Sequence, residues 1–200
     1  MRTVLLGDSH LARVRRRLDV IGDDVLNAAV GGASVRALGA QAVTAGLRSD
    51  DTVVVSVGTN DAAPWKQVPL ADFSTLLSEW VRSIDVDGWV YVTPPGVDER
   101  RLTGPGDRTN QVIDTYRAAA IEVFRSAGAR VVHADRLLTP LGPAAFVDDG
   151  LHLTGRAYDL VLPAIAAAVG TAPSAPGGGQ ADVVEDLEAA GDLGQPDGDV

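Results

Sequence analysis

The residue whose type and position most clearly suit catalysis is a serine near the start of the chain. Ser9 lies in the segment Leu6-Gly7-Asp8-Ser9-His10, after an apolar run and before a helical pattern. A serine at the exit of a buried strand points at a helix N-terminus, where backbone N–H groups are unpaired and partly positive. Such donors beside a hydroxyl suit a nucleophile that generates an oxyanion. The alternative is an ordinary strand–turn–helix in which Ser9 is a helix cap.

A serine nucleophile needs a base, and the chain contains three histidines. His10 adjoins the serine, so its side chain leaves the backbone in a different direction from that of Ser9 and is not expected to reach the serine oxygen. His133 ends an apolar run and is interpreted as a structural histidine. His152 follows Asp149 by three residues, which lets the carboxylate accept the Nδ1 proton and leaves Nε2 free to take the serine proton. The alternative is a surface Asp–His pair that caps the last helix, although Thr154 is available for that cap.

Two further residues could bind the negative charge of a tetrahedral intermediate beside the N–H of Ser9. Gly32 has no Cβ, so its N–H can approach the oxyanion closely. Asn60, in the segment Gly58-Thr59-Asn60-Asp61, offers a side-chain amide. Asn60 could instead close its loop as an Asx-turn residue. Asp8 and Asp61 are interpreted as residues that shape their own turns.

The elements that must position these residues alternate between two patterns. Short apolar runs predict strands at 4–6, 25–28, 52–57, 89–92 and 129–133. Helical spacing of apolar residues predicts helices at 11–19, 34–45, 70–84, 109–127 and 154–169. The β-branched run at 52–57 is typical of a parallel strand covered on both faces. We therefore expect a five-stranded parallel sheet in a three-layer α/β/α sandwich.

This architecture makes a prediction about where the chemistry lies. Ligands bind at the carboxyl ends of the strands in such sheets. The loops at those ends are predicted at 7–10, 29–34, 58–61, 94–108 and 134–152. All the candidate residues fall inside them, so we expect the candidates to meet at one edge of the sheet.

Four sequence blocks in this order resemble the SGNH (GDSL) hydrolase family over residues 4–169. The blocks are Gly7-Asp8-Ser9, Gly31-Gly32, Gly58-Thr59-Asn60-Asp61 and Asp149-Gly150-Leu151-His152. The resemblance implies a flavodoxin-like fold and a serine esterase. In that family Ser9 would be the nucleophile, His152 the base and Asp149 its orienting group, with the oxyanion held by Ser9, Gly32 and Asn60. Gly32 rather than Gly31 matches the family spacing from Asn27, and His10 replaces the family's usual aliphatic residue.

Composition limits the alternatives. The net charge of −10 is uneven, because residues 171–200 carry seven acidic and no basic residues, leaving 20 acidic against 17 basic residues in 1–170. The resemblance implies that residues 1–170 form the catalytic domain. Their nearly balanced charge gives no field that would attract nucleic acid. The segment 173–180 is typical of a flexible linker, and the acidic Gly-rich remainder of 171–200 is predicted to be disordered.

Cofactors and membranes are not expected. The chain has no cysteine, and no spacing typical of a metal or nucleotide phosphate site is present. No apolar stretch is long enough for a signal segment or a transmembrane helix, so a cytoplasmic protein is expected. Nothing in the sequence indicates the oligomeric state.

The expected activity is cofactor-free hydrolysis of a small acyl ester, such as a short acyl group on a sugar or metabolite. The alternatives are acyl transfer through the same acyl-enzyme, or a non-catalytic binding module of the same fold. Loops 62–69 and 94–108 are predicted to form the pocket walls, with Trp65 as a platform for substrate. The arginines between positions 13 and 17, and those at 100, 101 and 108, are predicted to be solvated. The alternatives are an anion-binding role for the first group and contact with an anionic substrate for the second.

Overall fold

The computed structural model describes residues 1–102, 104 and 107–170. Within these residues the strands are β1 (Thr3–Gly7), β2 (Val25–Asn27), β3 (Thr52–Ser56), β4 (Gly88–Val92) and β5 (Arg130–Val132). The helices are α1 (Ser9–Ala12), α2 (Leu38–Ala45), α3 (Leu70–Ser83), α4 (Asn110–Ser126), α5 (Ala134–Leu137) and α6 (Gly155–Gly170). The predicted linker and acidic tail at 171–200 lie outside the described residues. No described helix combines the length and apolar character that crossing a membrane requires.

The five strands form one sheet in the order β2-β1-β3-β4-β5, and every pairing is parallel. The order reverses direction between β1 and β3, which makes the crevice between their carboxyl ends the topological switch point of the sheet. Helices pack on both faces, with α2, α3 and α4 in one apolar cluster and α1, α5 and α6 in the other. This confirms the predicted three-layer α/β/α fold.

Strand β3 shows why a central parallel strand needs apolar residues on both faces. Successive side chains of a strand point to opposite faces of the sheet. Val53 and Val55 contribute to the cluster that contains Phe73 and Phe124, whereas Val54 contributes to the cluster around Leu162. All five residues of β3 are buried, as the unbroken β-branched run predicts.

Two stretches differ from the predicted elements. The helix expected at 11–19 is α-helical only over Ser9–Ala12, and 3-10 turns follow at Arg13–Arg16 and Leu18–Val20. The last loop, predicted without regular structure, contains α5 and a 3-10 segment over Thr139–Ala145. These pieces are three to seven residues long, too short for a 3.6-residue period to identify them.

Gly7 connects β1 to the candidate nucleophile and is tightly enclosed. Its φ of +127° lies in a region that residues with a Cβ rarely adopt. Buried Gln41 satisfies both of its backbone groups, because Gly7 N–H donates to Oε1 at 2.6 Å and Nε2 donates to the Gly7 carbonyl at 2.9 Å. A Cβ on Gly7 would collide with the backbone carbonyl of Ser56 on β3.

Replacing Gly7 by alanine is therefore expected to destabilise the fold by about 3 kcal/mol or more, through backbone strain and overpacking. Urea unfolding of the purified protein measures this loss. Gly39→Ala is the matched control, because a Cβ on Gly39 within α2 meets no atom within 4 Å. This control is expected to leave the free energy of unfolding unchanged or raise it by up to about 1 kcal/mol. Equal stability of the two variants would contradict the enclosure of Gly7.

Candidate active site

The candidate residues meet at the carboxyl edge of the sheet, around the crevice between β1 and β3. Ser9 follows β1, Gly32 follows β2, and Asn60 follows β3. His152 comes from the segment between β5 and α6. These four residues line one cleft of about 460 Å³. The topology thus brings together residues that are separated by up to 143 positions.

Ser9 is the first residue of α1, directly after its N-cap. Asp8 is that N-cap, and its carboxylate accepts a hydrogen bond from the N–H of His10 at 3.0 Å. The N–H of a first-turn residue has no partner within its own helix. Ser9 therefore offers both a hydroxyl and a backbone donor at the same point of the cleft.

The Ser9 hydroxyl lies in a chain of hydrogen bonds with His152 and Asp149. Nε2 of His152 is 3.1 Å from Ser9 Oγ, and Nδ1 is 2.6 Å from Asp149 Oδ2. With Asp149 accepting the Nδ1 proton, Nε2 is the nitrogen that can accept the serine proton. This is the geometry of a nucleophile, its general base and the group that orients the base.

The loop that carries His152 is fixed by its backbone. The N–H of Val147 donates to the His152 carbonyl at 2.8 Å, which closes the loop across its base. At its tip, Gly150 has a φ of +69°, and its carbonyl accepts from the N–H of Asp98 at 2.8 Å. A Cβ on Gly150 would lie 2.6 Å from the Asp98 carbonyl oxygen. A glycine at this position lets the base loop lie directly against the loop after β4.

Asp149 is held in its charged form. Burial acts to raise its pKa, but the hydrogen bonds from the ring and backbone of His152 and from the N–H of Leu151 outweigh burial. Together they lower the pKa of Asp149 to about 2. Its carboxylate is therefore ionised throughout the neutral range. A fixed negative charge at Nδ1 would stabilise an imidazolium on His152.

Gly32 occupies the third position of a tight turn. The N–H of Ala33 donates to the Val30 carbonyl at 3.2 Å, and Gly32 has a φ of +78°. This combination is typical of a type II turn, which requires glycine at that position. Among the described residues no partner accepts the N–H of Gly32. Both Gly31 and Gly32 line the cleft, so the choice of Gly32 as the donor remains a prediction.

Asn60 is anchored on the same side as Gly32. One of its two amide protons donates to the Ala33 carbonyl, at an Nδ2 to oxygen distance of 3.0 Å. A side-chain amide carries two protons, so a second remains for an oxyanion. Arg108 adds support by donating to the carbonyl of Thr59 at 2.9 Å. Asn60 is therefore held by contacts that leave it able to donate into the cleft.

Asp61 connects the loops of the two predicted oxyanion donors. Its Oδ1 accepts from the N–H of Val35 at 2.8 Å, next to the Gly32 turn, and its Oδ2 accepts from the N–H of Gly58 at 3.0 Å. The sequence predicts a role in its own turn only. Burial raises the pKa of Asp61 to about 6, although both backbone donors act to lower it.

This raised pKa gives a prediction for stability against pH. Between about pH 4 and pH 6 folded Asp61 holds a proton that the unfolded chain has lost, so its contribution to stability falls as pH rises. Relative to Asp61→Asn, the wild type should lose about 2 kcal/mol of unfolding free energy between about pH 4.5 and about pH 7. Urea unfolding of both proteins at the two pH values measures this. A difference between the proteins that does not change with pH would contradict the raised pKa.

The cleft also contains two residues that the sequence places elsewhere. Arg13 and Arg15 are exposed, as predicted, but they line the cleft beside Ser9 and His152 rather than an outer face. The tighter 3-10 turns after α1 change the direction of this arginine run. Trp65, predicted as a substrate platform, is exposed and lies against the guanidinium of Arg108 at 5.2 Å, and it does not line the cleft.

Two arginines of the loop after β4, Arg101 and Arg108, have structural contacts. Arg101 forms an ion pair with Asp98, and Arg108 is buried, contrary to the prediction of a solvated residue. Its burial follows from its hydrogen bond to Thr59, 49 residues away, which no local pattern indicates. His133 is buried. Of the three histidines, His152 is the one whose ring contacts Ser9.

His10 has a role that sequence reasoning left open. Its ring is buried, with Nδ1 3.2 Å from Asp8 Oδ1 and Nε2 3.2 Å from the Leu151 carbonyl. The hydroxyl of Tyr158 donates to its backbone carbonyl at 2.8 Å. His10 therefore joins the serine loop to the residue before His152. The sequence signal for this role is that position 10 holds a histidine where the family usually has an aliphatic residue.

No group of three or more potential metal ligands occurs within the part of the chain that the structure describes. The described site instead presents hydroxyl, imidazole, carboxylate and amide groups. These can perform nucleophilic attack, proton transfer and oxyanion binding.

Comparison with known proteins gives a family and a fold. Residues 6–160 match the model of the GDSL-like lipase/acylhydrolase family. A lipase/acylhydrolase from Enterococcus faecalis has a similar structure, with a TM-score of 0.67 and 22% identity over 88% of this chain and 100% of that one. An acetylxylan esterase from Geobacillus stearothermophilus has a TM-score of 0.63 and 18% identity over 88% of this chain and 96% of that one. No curated protein sequence matches the chain significantly.

Proposed function

The chain belongs to the GDSL-like lipase/acylhydrolase family, and we propose that it hydrolyses a small acyl ester through an acyl-enzyme on Ser9. It is a carboxylic ester hydrolase of the SGNH type. The observation that carries the proposal is the hydrogen-bonded chain from Ser9 through His152 to Asp149. A cap or a surface ion pair would not require all three residues to align in one chain of hydrogen bonds.

In the proposed acylation step, Ser9 Oγ attacks the ester carbonyl while His152 Nε2 takes the hydroxyl proton. The carbonyl oxygen becomes an oxyanion, which the N–H groups of Ser9 and Gly32 and the amide of Asn60 bind. The carbon–oxygen bond to the alcohol then breaks, and His152 returns the proton to the departing alcohol oxygen. The product of this step is an ester between the acyl group and Ser9.

In the proposed deacylation step, His152 removes a proton from water, and the resulting oxygen attacks the acyl-enzyme carbonyl. A second tetrahedral intermediate forms at the same donors. Its collapse releases a carboxylic acid and restores the Ser9 hydroxyl with the proton from His152. The side chain of His152 is 18% exposed, so water can reach the base.

We propose a short acyl group, such as an acetyl on a sugar or metabolite, as the substrate. The cleft has room for a small ester, at about 460 Å³. The structural relative named an acetylxylan esterase supports the same size class. A long acyl chain would need an extended apolar surface, whereas among the described residues that line the cleft the apolar side chains are those of Ala12 and Leu151.

The test is the rate of hydrolysis of aryl acetate, butyrate and decanoate, measured beside the Ser9→Ala variant. We expect turnover of the acetate and butyrate, with the decanoate slower. The same reactions with a sugar or glycerol added as acceptor should yield the free acid as the main product. A wild type no faster than Ser9→Ala on every ester would contradict the proposal. If the main product were an ester of the added acceptor, the assigned reaction would be acyl transfer instead of hydrolysis.

A further inference from the structure

The cleft around Ser9 carries positive charge that the proposed reaction does not use. Arg13 and Arg15 line it together with the proposed nucleophile and base. No carboxylate is among the described residues that line this cleft. Asp149 lies behind His152 and contacts its Nδ1 rather than the cleft. The two guanidinium groups are therefore the ionised side chains at the cleft wall.

One neighbouring arginine of the same run has protein partners. Arg17 forms an ion pair with Asp159 at 2.7 Å and donates to the Gly155 carbonyl. Arg13 and Arg15 form no ion pair or hydrogen bond with any described side chain. The 3-10 turn that carries them places both on the side of the cleft. Their fork of N–H donors is thus available to a ligand.

A nearby lysine adds to the positive charge around the cleft. Lys66 donates to the carbonyl of Gly32 at 2.8 Å, so its ammonium lies at the rim of the Gly32 turn. Residues 1–170 have more acidic than basic residues, so the positive character is local to the cleft and not a property of the whole surface. A local positive site within a slightly acidic protein selects anions by contact more than by long-range attraction.

We infer that the natural substrate is an ester that carries a second, anionic group, a carboxylate or phosphate, which Arg13 and Arg15 bind while the ester carbonyl lies at Ser9. This inference rests on the proposed hydrolase function and names its substrate class. Arginine matches the planar oxygen pairs of carboxylates and phosphates with two parallel hydrogen bonds. The anion thereby fixes the orientation of the substrate relative to the Ser9 hydroxyl.

The experiment compares matched pairs of esters. 4-Acetoxybenzoate carries its anion on the alcohol part, and its methyl ester is the neutral match. The monophenyl ester of adipic acid carries its anion on the acyl part, and phenyl hexanoate is the neutral match. For the wild type we expect kcat/KM to be about 10-fold or more higher for the anionic member of one pair. Which pair shows the preference assigns the anion to the alcohol or the acyl side.

The variants are Arg13→Gln with Arg15→Gln, and Arg16→Gln as the matched control. Arg16 is exposed in the same 3-10 turn but does not line the cleft. The double variant should lose the anion preference, so that the ratio of kcat/KM between the anionic and the neutral member of each pair falls to about one. Arg16→Gln should keep the preference. A wild type without any preference for an anionic ester, or a double variant that retains it, would overturn the inference.

Binding without turnover separates this inference from the proposed hydrolysis. The affinity of monophenyl adipate and 4-acetoxybenzoate for Ser9→Ala is measured by calorimetry, beside the triple variant that also lacks both arginines. We expect one of the two anions to bind Ser9→Ala at least about 10-fold more tightly than the triple variant. This result would support the anion site even if no ester were hydrolysed. Equal affinity in both proteins would reject the site even if neutral esters were hydrolysed.

Discussion

The Ser9→Ala variant is expected to lose about 10⁴- to 10⁶-fold in kcat on a short aryl ester, because the attacking oxygen is absent. Among the described residues the Ser9 hydroxyl has one hydrogen-bond partner, His152 at 3.1 Å. We therefore expect the thermal unfolding midpoint to change little. Steady-state kinetics with an aryl acetate, together with thermal unfolding, measures both quantities.

A test of concerted action follows from the same geometry. His152→Ala should cost about as much as Ser9→Ala, and the double variant should be no slower than either, because residues that act as a unit give non-additive losses. Asp149→Asn should reduce kcat less than Ser9→Ala or His152→Ala. It removes the negative charge that orients the His152 ring at Nδ1, but Nε2 is still present to accept the serine proton. Independent, multiplicative losses from Ser9 and His152 would show that they do not share one proton transfer.

The second large effect is expected from Asn60. Asn60→Ala should lower kcat about 10²- to 10³-fold with little change in KM, because an oxyanion donor acts on the charge that develops in the transition state. Alanine also removes the hydrogen bond from Nδ2 to the Ala33 carbonyl, so stability must be measured beside activity. Kinetics on an aryl acetate and urea unfolding of the same preparation separate the two contributions.

Asn110 provides the matched control for this test. Its side chain also joins two backbone groups, accepting from the N–H of Val97 and donating to the Val97 carbonyl at 2.9 Å in both cases. It does not line the Ser9 cleft. Asn110→Ala should therefore lower stability while kcat stays within about twofold of the wild type. If Asn60→Ala lost stability but kept its kcat, Asn60 would be a loop-closing residue only.

The layered fold could be predicted because its signals are local. Strand β3 is an unbroken β-branched run, and α3 and α4 are long enough for their apolar period to appear. The strand ends then define one edge of the sheet, where the candidate residues had to meet. The 3-10 turns after α1 could not be predicted, because a few residues at three-residue spacing look like the start of a longer helix.

The candidate site could be predicted as a set of residue types but not as a supported structure. Ser9, Asp149 and His152 carry chemistry that their spacing makes visible. The residues that hold the loops are joined over long separations, 34 residues from Gly7 to Gln41 and 49 from Thr59 to Arg108. A single sequence contains no local pattern for such contacts. The direction of Arg13 likewise depends on a turn that the sequence does not reveal.

Covalent labelling with a fluorophosphonate, followed by intact-mass and peptide mass spectrometry, tests directly whether Ser9 is the nucleophile. Such a reagent reacts with a serine only where a base and an oxyanion site activate it. We predict one adduct per chain, on the peptide that contains Ser9, absent from Ser9→Ala and strongly slowed in His152→Ala. Wild-type protein that remains unlabelled, or that is labelled at another residue, would contradict the assignment of Ser9 as the nucleophile.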